Sequence, residues 1–195
     1  MNKNLLKDSG FDIETLENST DVIYAISDTF DLIYFNPSWF KFASENNAKE
    51  LLKTEKFLKE NIVTFLPDVL KDFYLDNYKQ VLSTNKKWQH QFECSSSEIY
   101  RLYNHTAYPF KNKKGILFVN RIRTKEPINK TDHLAKLNYY MHPSGFIHQC
   151  SNCRSIQRVD DENKWEWVSE WVNNMPKKTS HTICPTCFDY YWKNG

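Results

Sequence analysis

Apolar positions along this chain recur with a period of two in some stretches and at steps of three and four in others, and the two spacings lay out its elements. Val22–Ile26 and Leu32–Phe35 read as strands, joined by the polar turn Ser27-Asp28-Thr29-Phe30-Asp31. Asn36-Pro37 then predicts a helix start, because Asn caps well and Pro suits the first helical position. That helix carries Trp39, Phe40 and Ala43 inward. The less regular stretch from Asn47 to Phe65 suggests short helices. Pro67 opens a longer helix to about Ser83, with Leu70, Phe73, Tyr74, Asn77, Tyr78, Val81 and Leu82 at helical steps. Three strands follow. Lys87–Cys94 alternates strictly, with Trp88, His90, Phe92 and Cys94 on one face. Glu98–Phe110 comes next, then Ile116–Arg123 after the basic turn Lys111–Gly115. Before all of these, residues 1–20 read as a charged lead-in, helical from Asp12 to Asn18. Beyond them, Thr124-Lys125-Glu126-Pro127 is expected to break the last strand, and Thr131–Tyr140 to form a short helix. A hairpin over Phe146–Val159, a helix over Trp165–Asn173 and a last helical turn over Phe188–Trp192 complete the pattern. In the Trp165–Asn173 helix, Trp165, Trp167, Val168, Trp171 and Val172 face inward, and Glu166, Ser169 and Glu170 face out.

Two strands, helices, a long helix and three long strands imply an α+β domain, an antiparallel five-stranded sheet with helices on one face. The Ile33-Tyr34-Phe35-Asn36-Pro37 junction, the long helix before the last strands and the Arg101…Pro109…Gly115 order resemble a PAS domain over about Asn18 to Arg123. The resemblance implies a sensory module that holds a small ligand or cofactor, or docks a partner protein, and that often self-associates. The expected organisation is a lead-in (1–20), a PAS-like domain (21–124), a linker (125–144) and a C-terminal module (145–195).

The C-terminal module carries the most specific signal. Cys150 and Cys153 form one Cys-x-x-Cys pair, and Cys184 and Cys187 another. Two such knuckles suit one tetrahedral zinc ion. The stretch between them, Arg154 to Ile183, is longer than the common ribbon spacing of about 15–20 residues. A redox dithiol and an iron–sulfur cluster are the competing chemistries. So short a module buries little apolar surface alone, and metal ligation can supply on the order of 10 kcal/mol of folding energy. His181 precedes Cys184 by three residues and is a candidate for the shell around the four sulfurs rather than a ligand. The text Cys150-Ser-Asn-Cys153-Arg154, the Trp165–Trp171 segment and Ser180-His181-Thr-Ile183-Cys184-Pro185-Thr-Cys187 resemble a cysteine-rich tail that follows PAS and receiver domains in bacterial signalling proteins. Thr182 stands where that family usually has glycine, and a β-branched residue disfavours a positive φ there.

Composition narrows the function. The 195 residues are 40% hydrophobic and 15% aromatic, enough for a core, and a net charge of +2 announces neither a nucleic-acid nor a membrane-surface protein. Four glycines leave no glycine-rich phosphate loop. With no secretory leader and no run of spanning length, the expected location is the cytoplasm, where paired thiols favour metal over disulfide. No hydrolase or deaminase motif is present, and a closed four-sulfur site leaves no position for a catalytic water, so a non-enzyme is expected. Tyr24, Phe35, Trp39, Trp88, His90, Phe92, Tyr103 and His105 are the candidate lining of a pocket for an unidentified small ligand; each also reads as ordinary core. His90 is a conceivable axial haem ligand, with a hydrogen-bonded core histidine as the plainer reading. The leading function is a stand-alone cytosolic sensory or adaptor protein in signal transduction, with a signalling protein as partner, a homodimer as an allowed state, and zinc holding the interaction module. The alternatives are a nucleic-acid-binding zinc-knuckle regulator, against which Asp160-Asp161-Glu162 argues, and a thiol–zinc redox switch.

Overall fold

The computed structural model describes residues 3–45 and 57–193. The first helices are α1 (Lys3–Asp8) and α2 (Ile13–Asn18), the latter capped by Asp12, which accepts from the Glu14 amide. Strands β1 (Val22–Ser27) and β2 (Leu32–Phe35) pair antiparallel. Helix α3 (Pro37–Glu45) begins as the Asn-Pro pair predicts. The short helices expected across 47–65 fall partly outside the described residues; within them, Ile62–Phe65 is a 3₁₀ turn. The long helix α4 spans Lys71–Thr84 and is preceded by a 3₁₀ turn at Asp68–Leu70. Its C-cap Asn85 is left-handed, a conformation Asn tolerates. Strands β3 (Trp88–Glu93), β4 (Ile99–Pro109) and β5 (Gly115–Pro127) complete a five-stranded sheet of order β2-β1-β5-β4-β3. The architecture is α+β, with β1 antiparallel to both its neighbours. Gly115 pairs with Ser27, and a Cβ there would collide with the Ile26 carbonyl and the Phe110 ring, so the close β1–β5 approach needs a residue without one.

The chain divides into two compact units. The first comprises Met1–Leu66, Leu70–His90 and Asn104–Arg121; the second comprises Pro67–Val69, Gln91–Tyr103 and Ile122–Gly195. In the first, the lead-in contributes to the core: Leu6 and Leu16 are buried with Ile23, Ala25, Tyr34, Phe110 and Leu117. Asn36 fastens this packing. Its Oδ1 accepts from the Ile23 and Trp39 amides, both at 3.0 Å, and its Nδ2 donates to the Asp21 carbonyl at 2.9 Å. The residue caps α3 and ties it to β1 while fully buried.

The second unit holds a four-stranded sheet of order β8-β7-β6-β9. Its strands are β6 (Ile147–Cys150), β7 (Ile156–Gln157), β8 (Trp165–Glu166) and β9 (Thr179–Thr182). The expected hairpin over 146–159 is β6 and β7, and β9 joins β6 in parallel. The core is Tyr140, Ile147, Ile156, Val168 and Trp171. Residues 125–144, read from sequence as a linker, fold as part of this unit. Strand β5 runs on to Pro127 instead of ending near Arg123, because Pro127 is the last strand position and the Ile128 amide still donates to the Glu98 carbonyl at 2.8 Å. The helix expected over 131–140 shrinks to α5 (Leu137–Tyr140), since Asp132 bridges to Trp167 as extended chain.

The helix expected over Trp165–Asn173 is also corrected. Its first residues are strand β8, held by pairing with β7, and only α6 (Ser169–Asn173) is helical. Asp132 caps α6 across the fold, accepting from the Ser169 amide at 2.9 Å and hydroxyl at 2.6 Å. Glu166 faces in, not out: it is 5% exposed, and its carboxylate takes the Tyr140 hydroxyl at 2.7 Å. Lys164 lies at 2.9 Å, with Arg158 and His133 each at 3.6 Å. Helix α7 (Pro185–Trp192) ends the described chain. Among the described residues no helix is long and apolar enough to cross a membrane.

Candidate metal centre and aromatic pocket

The four cysteines meet. Strand β6 ends at Cys150, and the chain turns back through Arg154, whose left-handed backbone (φ 63°) lets its amide donate to the Cys150 carbonyl at 3.1 Å. This is the first knuckle. Parallel pairing of Cys150 with Thr182 brings the second knuckle alongside. Thr182 needs no positive φ here; it is the last residue of β9, and its carbonyl accepts the Ser151 amide at 2.7 Å. Cys184 is the N-cap of α7 with Pro185 at the first helical position, which places Cys187 in the first turn. A helix N-terminus favours negative charge, as thiolates require.

All four sulfurs lie within 4.8 Å of one another. The Cys153 and Cys184 sulfurs are 3.8 Å apart. Zn–S bonds of about 2.3 Å arranged tetrahedrally give an edge of about 3.8 Å, whereas a disulfide needs about 2.05 Å. The cysteines are free, and the cluster has the dimensions of a four-sulfur metal site. Hydrogen bonds from Cys153, Cys184 and Cys187 hold the Cys150 thiol far below its ordinary range, and the same contacts with Cys150 push Cys184 and Cys187 up. Four thiolates this close repel one another, and a cation between the sulfurs would relieve that repulsion.

N–H donors surround the cluster. The Cys184 amide donates to Cys150 Sγ and the Cys187 amide to Cys184 Sγ, each at 3.4 Å. Asn152 Nδ2 donates to Cys187 Sγ at 3.2 Å. The Asn152 side-chain Oδ1 takes the Glu93 amide at 3.1 Å and the Tyr191 hydroxyl at 3.4 Å. Lys130 adds a second tie, donating to the Glu93 carboxylate at 2.8 Å and to the Cys153 carbonyl at 3.3 Å. Asn152 escaped the sequence reading because the two middle positions of a knuckle carry no fixed chemistry. His181 is exposed on β9, opposite Gln149, and is not one of the clustered ligands. Cys94 is half-buried, and burial pushes its thiol up.

The eight pocket candidates fall into three places. Tyr24, Phe35 and Trp39 line a cavity of about 270 Å³ in the first unit, together with Leu32, Phe57, Ile62, Phe65 and Leu66. Phe35 and Trp39 are in ring contact at 4.2 Å. Trp88, His90 and His105 belong to an aromatic cluster around Tyr74, Tyr78 and Phe118; His90 stacks on Trp88 at 5.7 Å and His105 on Phe118 at 4.9 Å. Phe92 and Tyr103 stack on each other in the second unit, 5.4 Å apart.

His105 has a defined tautomer. Its Nδ1 sits 2.7 Å from Asn120 Oδ1, which only accepts, so Nδ1 carries the proton. Its Nε2, 3.4 Å from the Tyr78 hydroxyl, then accepts. Burial pushes the imidazole down to about 4 against the Asn120 contact, and burial followed by the His105 charge does the same to His90. The unfolded chain takes up these protons near pH 6.5 while the folded chain resists until about pH 4. Stability is therefore full above pH 6.5 and falls as the pH drops through that window, by about 3 kcal/mol for His105 alone. Urea midpoints at pH 7.5 and pH 4.5 are expected to converge in His105→Gln relative to the parent; an unchanged pH response would place the sensitivity elsewhere.

No protein-family model and no curated protein sequence matches the chain. Among solved structures it is similar to a domain of an HTR-like protein from Haloarcula marismortui ATCC 43049, at 13% identity and a TM-score of 0.40, over 54% of this chain and 100% of that one. It is also similar to the PAS domain of nitrogen regulation protein NR(II) from Vibrio parahaemolyticus, at 13% identity and 0.35, over 59% and 95%. A third likeness is to the Aer2 receptor from Vibrio cholerae, a dual PAS-heme oxygen sensor, at 12% identity and 0.38, over 53% and 95%.

Proposed function

We propose that this protein is a PAS-type sensory or adaptor module in signal transduction, with a zinc-bearing C-terminal module that presents it to a signalling protein or to a second copy of itself. One observation carries the sensory half: an apolar cavity set against β1, β2 and α3 of the five-stranded sheet, with Tyr24, Phe35 and Trp39 in its wall. Its volume lies just under the usual range of about 300–1,000 Å³ for small-molecule sites, which suits a compact apolar or aromatic ligand. The adaptor half rests on the cysteine cluster. Cys150, Cys153, Cys184 and Cys187 would hold the ion; when bound, zinc supplies a structural cross-link between the two knuckles. Four sulfurs fill its tetrahedron, which supports a structural rather than a catalytic role. The same closed site and the balanced net charge favour a cytoplasmic protein-binding role over a nucleic-acid one.

The test uses the purified full chain with indole as reference probe among uncharged aromatic heterocycles. Binding is expected to raise the melting temperature and change Trp39 fluorescence, and Leu32→Trp, which fills the cavity, is expected to abolish both. No stabilising ligand across the panel, together with a measurable catalytic turnover, would end the sensory reading.

A further inference from the structure

The four sulfurs are not equivalent. Cys150, Cys184 and Cys187 are buried, and each accepts an N–H hydrogen bond, from the Cys184 amide, the Cys187 amide and Asn152 respectively. Cys153 is only half-buried, and among the described residues no N–H donates to its sulfur; its polar contacts are the Ser155 hydroxyl at 3.4 Å and Cys184 Sγ at 3.8 Å. An N–H bond to a thiolate withdraws electron density and lowers nucleophilicity, and burial blocks approach. Cys153 has one hydroxyl in reach and no N–H donor, and it is the most exposed of the four, so approach and the weaker hydrogen bonding both favour it.

We infer that Cys153 is the oxidation site of this protein, attacked first by a hydroperoxide and then resolved by Cys184 to a disulfide that joins the two knuckles. This rests on the zinc reading above for its consequence, loss of the metal, but not for its order of attack. In the first step the Cys153 thiolate attacks one peroxide oxygen. An S–O bond forms, the O–O bond breaks, and hydroxide leaves to take a proton as water; sulfur loses two electrons and becomes sulfenic acid. In the second step the Cys184 thiolate attacks the Cys153 sulfur. An S–S bond forms, the S–O bond breaks, and the second hydroxide leaves as water. Two thiolates, one hydrogen peroxide and two protons yield one disulfide and two waters. The disulfide takes one ligand from each knuckle, so Cys150 and Cys187 remain and cannot retain a tetrahedral ion between them.

The experiment treats the zinc-loaded full chain with substoichiometric hydrogen peroxide, following zinc with a chromogenic chelator and mapping the thiols by mass spectrometry. The expected result is one zinc released per peroxide consumed, with Cys153–Cys184 as the first disulfide. When dimedone is present, its adduct is expected on Cys153. Cys153→His, which keeps a four-ligand site, is expected to retain zinc under the same treatment. First modification at Cys150, Cys187 or Cys94, or full retention of zinc by the parent, would overturn the inference. If the protein purifies without zinc, the zinc reading fails separately; trace alkylation with N-ethylmaleimide then decides the order of attack, with Cys153 labelled before the other three expected and any other order overturning it.

Discussion

On the proposed zinc reading, stripping the metal from the full chain is expected to melt the second sheet and to cost on the order of 10 kcal/mol of apparent stability. The reason is size. Strands β7 and β8 have two residues each, and the core beneath them consists of Tyr140, Ile147, Ile156, Val168 and Trp171. Such a core supplies too little apolar burial to offset the ordering of the surrounding loops. The sulfur cluster closes the sheet at the β6–β9 edge and pins the start of α7. Cys150→Ser and Cys187→Ser are expected to mimic chelation, because three ligands leave a weakened site with an open position. The readouts are near-ultraviolet circular dichroism, to which Trp165, Trp167 and Trp171 contribute, and a melting temperature that rises with added zinc. A metal-free chain with an unchanged spectrum and melting temperature would remove the cross-link from the account.

Glu166→Ala is expected to cost about 3–5 kcal/mol, the usual penalty for removing one partner of a buried charged group. The substitution strands the buried Tyr140 hydroxyl and removes the carboxylate on which Lys164 and Arg158 converge, although Lys164 can turn to solvent and Arg158 keeps Asp160. Tyr140→Phe removes only the hydroxyl and should cost about 1.5–3 kcal/mol, the usual value for a hydrogen bond to a charged group. Burial raises the Glu166 carboxyl, but the hydrogen bonds from Tyr140 and Lys164 and the neighbouring positive charges outweigh it and hold the carboxyl below its usual range. A depressed carboxyl contributes stability that is present above its unfolded value and is lost as the pH falls through the folded one. The gap between parent and Glu166→Ala in urea melts should therefore narrow as the pH drops below about 4.5. An equal gap at pH 7 and pH 3.5 would mean that packing, not charge, holds this centre.

Local chemistry made much of this fold legible. Asn36-Pro37 dictated where α3 begins, strict alternation marked β3, apolar runs bounded by turns marked β1, β2 and β4, and the paired cysteines marked the cluster. What escaped was set by partners distant in sequence. Trp165-Glu166-Trp167-Val168 satisfies both a helical and an alternating pattern, and only pairing with Ile156 and Gln157 makes its first half a strand. Glu166 looked like a surface charge because Tyr140 and Arg158, its reasons for being inside, lie elsewhere in the chain. Leu6 and Leu16 sit in a polar stretch with too few apolar neighbours to signal a core. The cavity was half legible: Tyr24, Phe35 and Trp39 follow from alternation and helix spacing, but Leu32, Phe57, Ile62, Phe65 and Leu66 reach it from turns and short segments without a period.

Asn152 has a single amide to share between two tasks, one end on the Cys187 sulfur and the other on the Glu93 backbone. A planar amide cannot turn toward one without swinging from the other. A change of charge on that sulfur is therefore expected to pull on the final rung of β3, linking the cysteine centre to the tip of the β3–β4 hairpin through one side chain.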